Sequence, residues 1–220
     1  MSDGIAWIGE HSYEDPTGAV PGMRGNISLT AARGVEPEDF LLRLGADIEQ
    51  LRCHDMYKDY RSLALNPLAM KRAWPAMYGT CGEWLYVLED WGMATWYAGR
   101  PTVAEMEPRT GEEIICLTMN RGDPPQRILH APGDGHVWYT EFGAETGCAS
   151  ALDAALNAAG AVFPSVRDAA EADVVAYFEE HMRELPPAVF AAVGAYSGLS
   201  VDRSAVEAGD LPLAILTWER

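Results

Sequence analysis

Between residues 84 and 142 the chain passes through five short segments of strand-forming residues, each closed by a turn rich in Gly, Pro, Asp or Asn. Segments this short, joined by tight turns, are expected to pair as antiparallel neighbours. Residues 84–88 and 93–97 read as one hairpin about Glu89-Asp90-Trp91-Gly92, and residues 113–119 as a third strand stopped by Asn120 to Pro125. Residues 127–130 and 136–142 then form a second hairpin across Ala131-Pro132-Gly133-Asp134-Gly135. The expectation is a β-meander of five or six strands, with one face solvated or open to a ligand unless helices cover both.

Helical signals flank this block. Residues 27–30 are a short β-like run leading into a helix that starts near Pro37, with Glu38 and Asp39 at its positive end and Gly45 as its stop. Residues 51–75 read as irregular, with one or two short helices and a local cluster of Arg52, Lys58, Arg61, Lys71 and Arg72 expected to serve internal salt bridges. After about residue 145 the chain turns Ala-rich: a helix over 147–159, an amphipathic one over 165–185, another from Ala188 to about Gly198, and a last one capped by Ser200 or Asp202. Residues 211–218 are an apolar tail expected to pack on the core. The fold class is therefore α+β, a single domain over 1–220, with an N-terminal helix and a C-terminal helical segment packed on the sheet.

Charge narrows the partners. Sixteen Lys+Arg against 33 Asp+Glu leave a formal net charge of -17. That excess disfavours nucleic acid or an anionic membrane and suits a basic protein or a cation. No run reaches the length of a membrane span and the first 16 residues are polar and acidic, so a cytoplasmic location is expected. Cys53, Cys81, Cys116 and Cys148 lie far apart with no CxxC pair, which argues against a zinc site and for free, mostly buried thiols.

Three patterns carry potential chemistry. His130 and His136 bracket the second hairpin loop, where cross-strand pairing would bring them together as a proton-transfer pair with Asp134 or as part of a metal site. No third or fourth metal ligand stands out, so no metal or cofactor is called for. Cys53-His54-Asp55 has the residue types of a catalytic relay, but consecutive side chains cannot point into one another. Gly79-Thr80-Cys81-Gly82 lacks the length and the lysine of a phosphate loop. Finally, Trp84, Trp91, Trp96 and Trp138 fall on the expected sheet or its turns, with Glu89, Thr118 and Glu141 nearby. They form either a Trp-rich core or an aromatic-lined pocket for an apolar or cationic small molecule.

The order of motifs is also familiar. Arg33-Gly34, Pro37-Glu38 and Leu44-Gly45-Ala46-Asp47 precede Gly82-Glu83-Trp84, Val87-Leu88-Glu89-Asp90 and Trp91-Gly92, then a strand from Cys116 to Asn120 and a hairpin ending near Glu141-Phe142. Over about residues 25–145 this resembles a family of small bacterial proteins known only as a domain of unknown function. The resemblance implies an α+β domain in a bacterial cytoplasm and supplies no catalytic residue. The reading from the residues is a small-molecule-binding protein, with cofactor-free acid/base catalysis by His130, His136 or Glu141 in a site lined by Trp84, Glu89, Trp91, Trp96, Thr118 and Trp138. The alternative is an acidic interaction module, of the immunity-inhibitor or adaptor kind. Its helix over 165–185, bearing Asp168, Glu171, Asp173, Glu179, Glu180 and Glu184, would meet a basic protein.

Overall fold

A computed structural model describes residues 4–10, 21–63, 73–90, 94–99, 106–119, 126–162 and 183–217, and positions 172, 176, 180 and 181 besides. Its centre is β1 (Ser28–Arg33), hydrogen-bonded on one side to β3 (Trp84–Glu89) and on the other to β4 (Glu113–Thr118). With β2 (Ala73–Cys81), β5 (Arg127–Pro132), β6 (Trp138–Glu141) and β7 (Leu213–Thr217) the strands form one seven-stranded antiparallel sheet in the order β6-β5-β4-β1-β3-β2-β7. The α+β class and the antiparallel pairing agree with the sequence. The simple meander does not, because the strands run on as neighbours only within β4-β5-β6 and within the β2-β3 hairpin, and β1 is inserted between β4 and β3.

Two elements explain the difference. Residues 73–81, of which 73–75 belong to the stretch expected to be irregular and 76–81 carry no expectation, are a full strand whose hairpin with β3 turns at Gly82-Glu83, where Gly82 takes φ +60. A two-residue turn with positive φ at its first position matches the twist of the strands. Ala73, Pro75 and Gly79 are poor strand formers, so pairing on both sides, with β3 and β7, holds β2 extended against local propensity. Residues 93–97, read as a strand, instead enter a short helix, Thr95–Gly99. The Glu89 carboxylate accepts hydrogen bonds from the Thr95 N–H and hydroxyl, and these satisfy the first donors of that helix.

Both faces of the sheet are covered. The α-helices described from end to end are, in chain order, α1 (Ala6–Glu10), α2 (Pro37–Arg43), α3 (Ile48–Arg52), α4 (Thr95–Gly99), α5 (Ala151–Ala158), α6 (Leu185–Ser197) and α7 (Arg203–Ala208). Leu29, Ala31, Tyr86, Leu88, Ile115, Leu117 and Ile128 point to one face and pack with Ile8, Leu152, Val189 and Phe190 from α1, α5 and α6. Phe142 meets Phe190 edge-on at 6.5 Å between ring centres. On the other face Ala32, Val87, Ile114, Cys116 and Leu129 pack with Phe40, Leu41 and Leu44 at α2 and with the fully buried Trp96 of α4. A buried pair ties α2 to the loop before β4: Arg43 donates to both oxygens of Glu112, at 2.8 and 2.9 Å, and to the Glu107 carbonyl.

The C-terminal elements follow the sequence closely. The helix expected from Ala188 begins three residues earlier, at Leu185, because Pro186 and Pro187 fit inside its first turn, where a missing N–H costs nothing; Gly198 ends it at φ +71, as expected. Asp202 caps α7 through the N–H groups of Ser204 and Ala205. The apolar tail becomes edge strand β7. The helix expected over 147–159 starts four residues later, at Ala151, because Ser150 is its cap. Most of the stretch 165–185 lies outside the described residues, as do Trp91, Lys71 and Arg72.

Two glycines separate close approach from turn geometry. At Gly45, φ +96, an added Cβ would stand 2.2 Å from the Thr217 carbonyl oxygen, whereas at Gly82 it would meet open space. Gly45→Ala is therefore expected to cost clearly more than the ~1–2 kcal/mol of a left-handed non-glycine residue, and Gly82→Ala about that amount. Urea denaturation of both variants checks this; equal midpoints would contradict it.

Candidate active site

The hairpin histidines do not meet. The loop between β5 and β6 is centred on Asp134, so His130 faces Trp138 across the ladder rather than His136. His136 stays on the loop, its side chain 76% exposed, with its ring 3.4 Å from Asp134. The paired-histidine expectation fails on register, and among the described residues no group of three metal-ligating side chains is assembled.

His130 itself is wholly buried on the α6 face, in a chain of polar contacts that crosses the sheet. Its Nε2 lies 3.0 Å from Oε1 of Glu113, on neighbouring β4. The same oxygen accepts the Tyr196 hydroxyl of α6 at 2.5 Å, and the Arg33 Nε of β1 donates to Oε2 at 2.6 Å. Arg33 in turn lies over the Trp84 ring at 5.1 Å, and Tyr196 packs edge-on against both Trp84 and His130. Burial works to raise the Glu113 pKa, but the hydrogen bonds from His130 and Tyr196 and the charge of Arg33 outweigh it and hold the carboxyl below its ordinary value. Tyr196 goes the other way, pushed up to about 12 by burial and by the carboxylate it donates to, so it remains a donor.

An ionised Glu113 only accepts, so the neutral imidazole carries its proton on Nε2 and leaves Nδ1 bare. That nitrogen is 3.8 Å from the Cys148 sulphur. Cys148 sits on the connection from β6 to α5, between Gly147 at φ +87 and Ala149 at φ +52. A left-handed alanine is strained, and here it is anchored on the helix side by a capping box: Asp153 takes the Ser150 N–H, and Ser150 takes the Asp153 N–H. The buried Asp153 also accepts the N–H and hydroxyl of Thr146, whose Oγ1 is 3.1 Å from the sulphur. The Cys148 thiol also lies 3.8 Å from Asp153 Oδ2, towards which it donates. Cys148 is partly exposed while His130 is wholly buried beside it, so Cys148 is the member of the pair that lies nearer the surface.

The remaining sequence candidates are dispersed. Trp84 lies on the same face as His130 but is buried against Arg33 and Tyr196. Trp96 is buried on the opposite face with its indole N–H on the Met106 carbonyl. Thr118 is buried and Glu141 partly exposed, on that same opposite face, with Glu141 opposite Arg127. Trp138 is 38% exposed beside His130. Trp91 lies outside the described residues. Of the thiols, only Cys116 is fully buried; Cys53 is exposed and Cys81 and Cys148 are intermediate, which corrects the expectation of mostly buried cysteines.

Sequence reasoning missed Cys148, Glu113, Tyr196 and Arg33 as partners of His130. The available signal was Gly147-Cys148-Ala149-Ser150 just before a helix, a small-residue turn that presents its cysteine. Glu113 and Tyr196, 17 and 66 residues from His130, carry no local mark.

Glu89 has a structural task instead of a ligand. It is buried with Thr95 as its hydrogen-bond partner among the described residues, and desolvation pushes its pKa up from 4.5 to about 7 against the pull of those hydrogen bonds. Folded chains then hold a proton that unfolded chains release between pH 4.5 and about 7, so stability falls as pH rises through that window. The fall amounts to roughly 3 kcal/mol, and Glu89→Gln is expected to flatten it. Denaturation midpoints taken from pH 5 to 7.5 check the slope; identical slopes in both proteins would contradict it. No protein-family model, curated protein or solved structure matches the chain.

Proposed function

We propose that the protein is a cofactor-free acyl-transfer enzyme acting on a small organic ester, thioester or amide, with Cys148 as nucleophile, His130 as acid/base and Glu113 as the residue that orients His130. One observation carries the reading: the Cys148 sulphur is 3.8 Å from Nδ1 of a histidine whose Nε2 is fixed 3.0 Å from a carboxylate. A nucleophile, a base and an orienting acid in this sequence of contacts make up a relay for attack on a carbonyl carbon. His130 and the small-molecule substrate keep the expectation drawn from the sequence, while His136 and Glu141 have no part in it.

The steps follow from the contacts. As sulphur attacks the carbonyl carbon, its proton passes to His130 Nδ1, and the imidazolium so formed is stabilised by Glu113. The backbone N–H groups of Cys148 and Ala149 have no hydrogen-bond partner among the described residues, and they are the donors available to the developing oxyanion. Collapse of the adduct expels the alcohol, thiol or amine, which takes the proton from His130. Water, deprotonated by the same nitrogen, then cleaves the thioester and restores the thiol.

The test uses p-nitrophenyl acetate and intact-mass detection of the acetyl group. Cys148 is expected to be acetylated ahead of the exposed Cys53, with the label absent in Cys148→Ala and formed at least about 100-fold more slowly in His130→Gln. Acetylation of Cys53 alone, or an unchanged rate in His130→Gln, would overturn the reading.

A further inference from the structure

Resting on that acyl-transfer reading, we infer that the small organic acyl donor is a short, extended, basic peptide that adds to β6 as an eighth strand and presents a backbone carbonyl to Cys148.

β6 ends the sheet, and no strand lies beyond it among the described residues. Phe142 N–H donates to the Gln126 carbonyl, so the hydrogen-bonded pairs along this ladder are 126 with 142, 128 with 140 and 130 with 138. Tyr139 belongs to the alternate set, and its N–H and C=O are turned outward to the open edge. Natural edge strands are usually blunted by lysine, proline or a bulge. Here the edge is Trp138-Tyr139-Thr140-Glu141, and Trp138 and Tyr139, 38% and 50% exposed, are the exposed large hydrophobic side chains among the described residues. An edge with outward backbone groups and one aromatic on each face is the surface that strand addition uses.

The edge is also next to the thiol. Trp138 is the cross-strand partner of His130, so its ring lies on the same face and one strand outward from the base that Cys148 contacts. An added strand would run about 4.8 Å from β6, with every second side chain over the Trp138 side. The charge selects the occupant. Asp134 and Glu145 are exposed and Glu141 partly exposed around this edge, in a chain of net charge -17. Arg127, one strand in from it on β5, is held on the opposite face against the rings of Tyr97 and Tyr139. With a peptide the reaction is hydrolysis: the C–S bond forms as the amide C–N bond breaks, the amine leaves with the His130 proton, and water releases the new carboxylate.

The experiment compares rates of Cys148 acylation in the full chain by p-nitrophenyl acetate and by p-nitrophenyl esters of short peptides alternating Val with Arg or Val with Glu. The Arg peptide is expected to react at least about 10-fold faster than acetate and than the Glu peptide, an advantage of about 1.4 kcal/mol. Trp138→Ala, or N-methylation of every second amide of the Arg peptide, should bring the peptide-to-acetate ratio down towards one. Acylation by acetate with no preference for the Arg peptide, or a ratio untouched by either change, overturns the inference and leaves the acyl-transfer reading standing. No acylation of Cys148 by any of the esters overturns both.

Discussion

The Glu113 carboxylate organises the site. It is a buried charge near the middle of the sheet, which is tolerable only because donors from three other elements converge on it: Arg33 of β1, His130 of β5 and Tyr196 of α6. Taking up those donors fixes β1, β4, β5 and α6 relative to one another at one end of the sheet. It also dictates which nitrogen of His130 is bare. The relay towards Cys148 is therefore a by-product of satisfying one carboxylate, and removing that carboxylate would leave Arg33 and Tyr196 without their partner as well as the imidazole without its orientation.

The rest of the fold keeps these groups where they are. Both faces of the sheet are packed under helices, and His130 sits among the side chains of one face with the Tyr196 ring of α6 against it and Cys148 beside its Nδ1. The connection is strained at Ala149, yet it is pinned at its far end by the Ser150–Asp153 capping box and beside the sulphur by Thr146. Strain held in place by several hydrogen bonds is how a scaffold keeps a small side chain at a fixed angle.

How much of this was legible depended on whether the deciding contact was local. The α2 start at Pro37, the Asp202 cap and the β5–β6 hairpin all rest on residues a few positions apart, and all were readable. Strand β2 was not, because Pro75 and Gly79 argue against a strand until β3 and β7 are set beside them. Nor was α4, since Thr95 and Trp96 look like strand until the Glu89 carboxylate caps the helix. The site shows the same division. His130 stood out as the end of a hairpin strand, but its partner was misassigned by two residues of register. Glu113 and Tyr196 reach it only through the three-dimensional arrangement, 17 and 66 residues away.

The central claim is that Glu113 holds the proton of the neutral imidazole on Nε2 and so turns an unprotonated Nδ1 towards Cys148. Nitrogen chemical shifts of the His130 ring, assigned in isotope-labelled protein by comparison with His130→Gln, read that tautomer directly. The account predicts the Nε2–H form, with a shift to a mixed population in Glu113→Gln. A resting Nδ1–H form would contradict it, because the nitrogen beside the sulphur would then be a donor with no capacity to take the thiol proton.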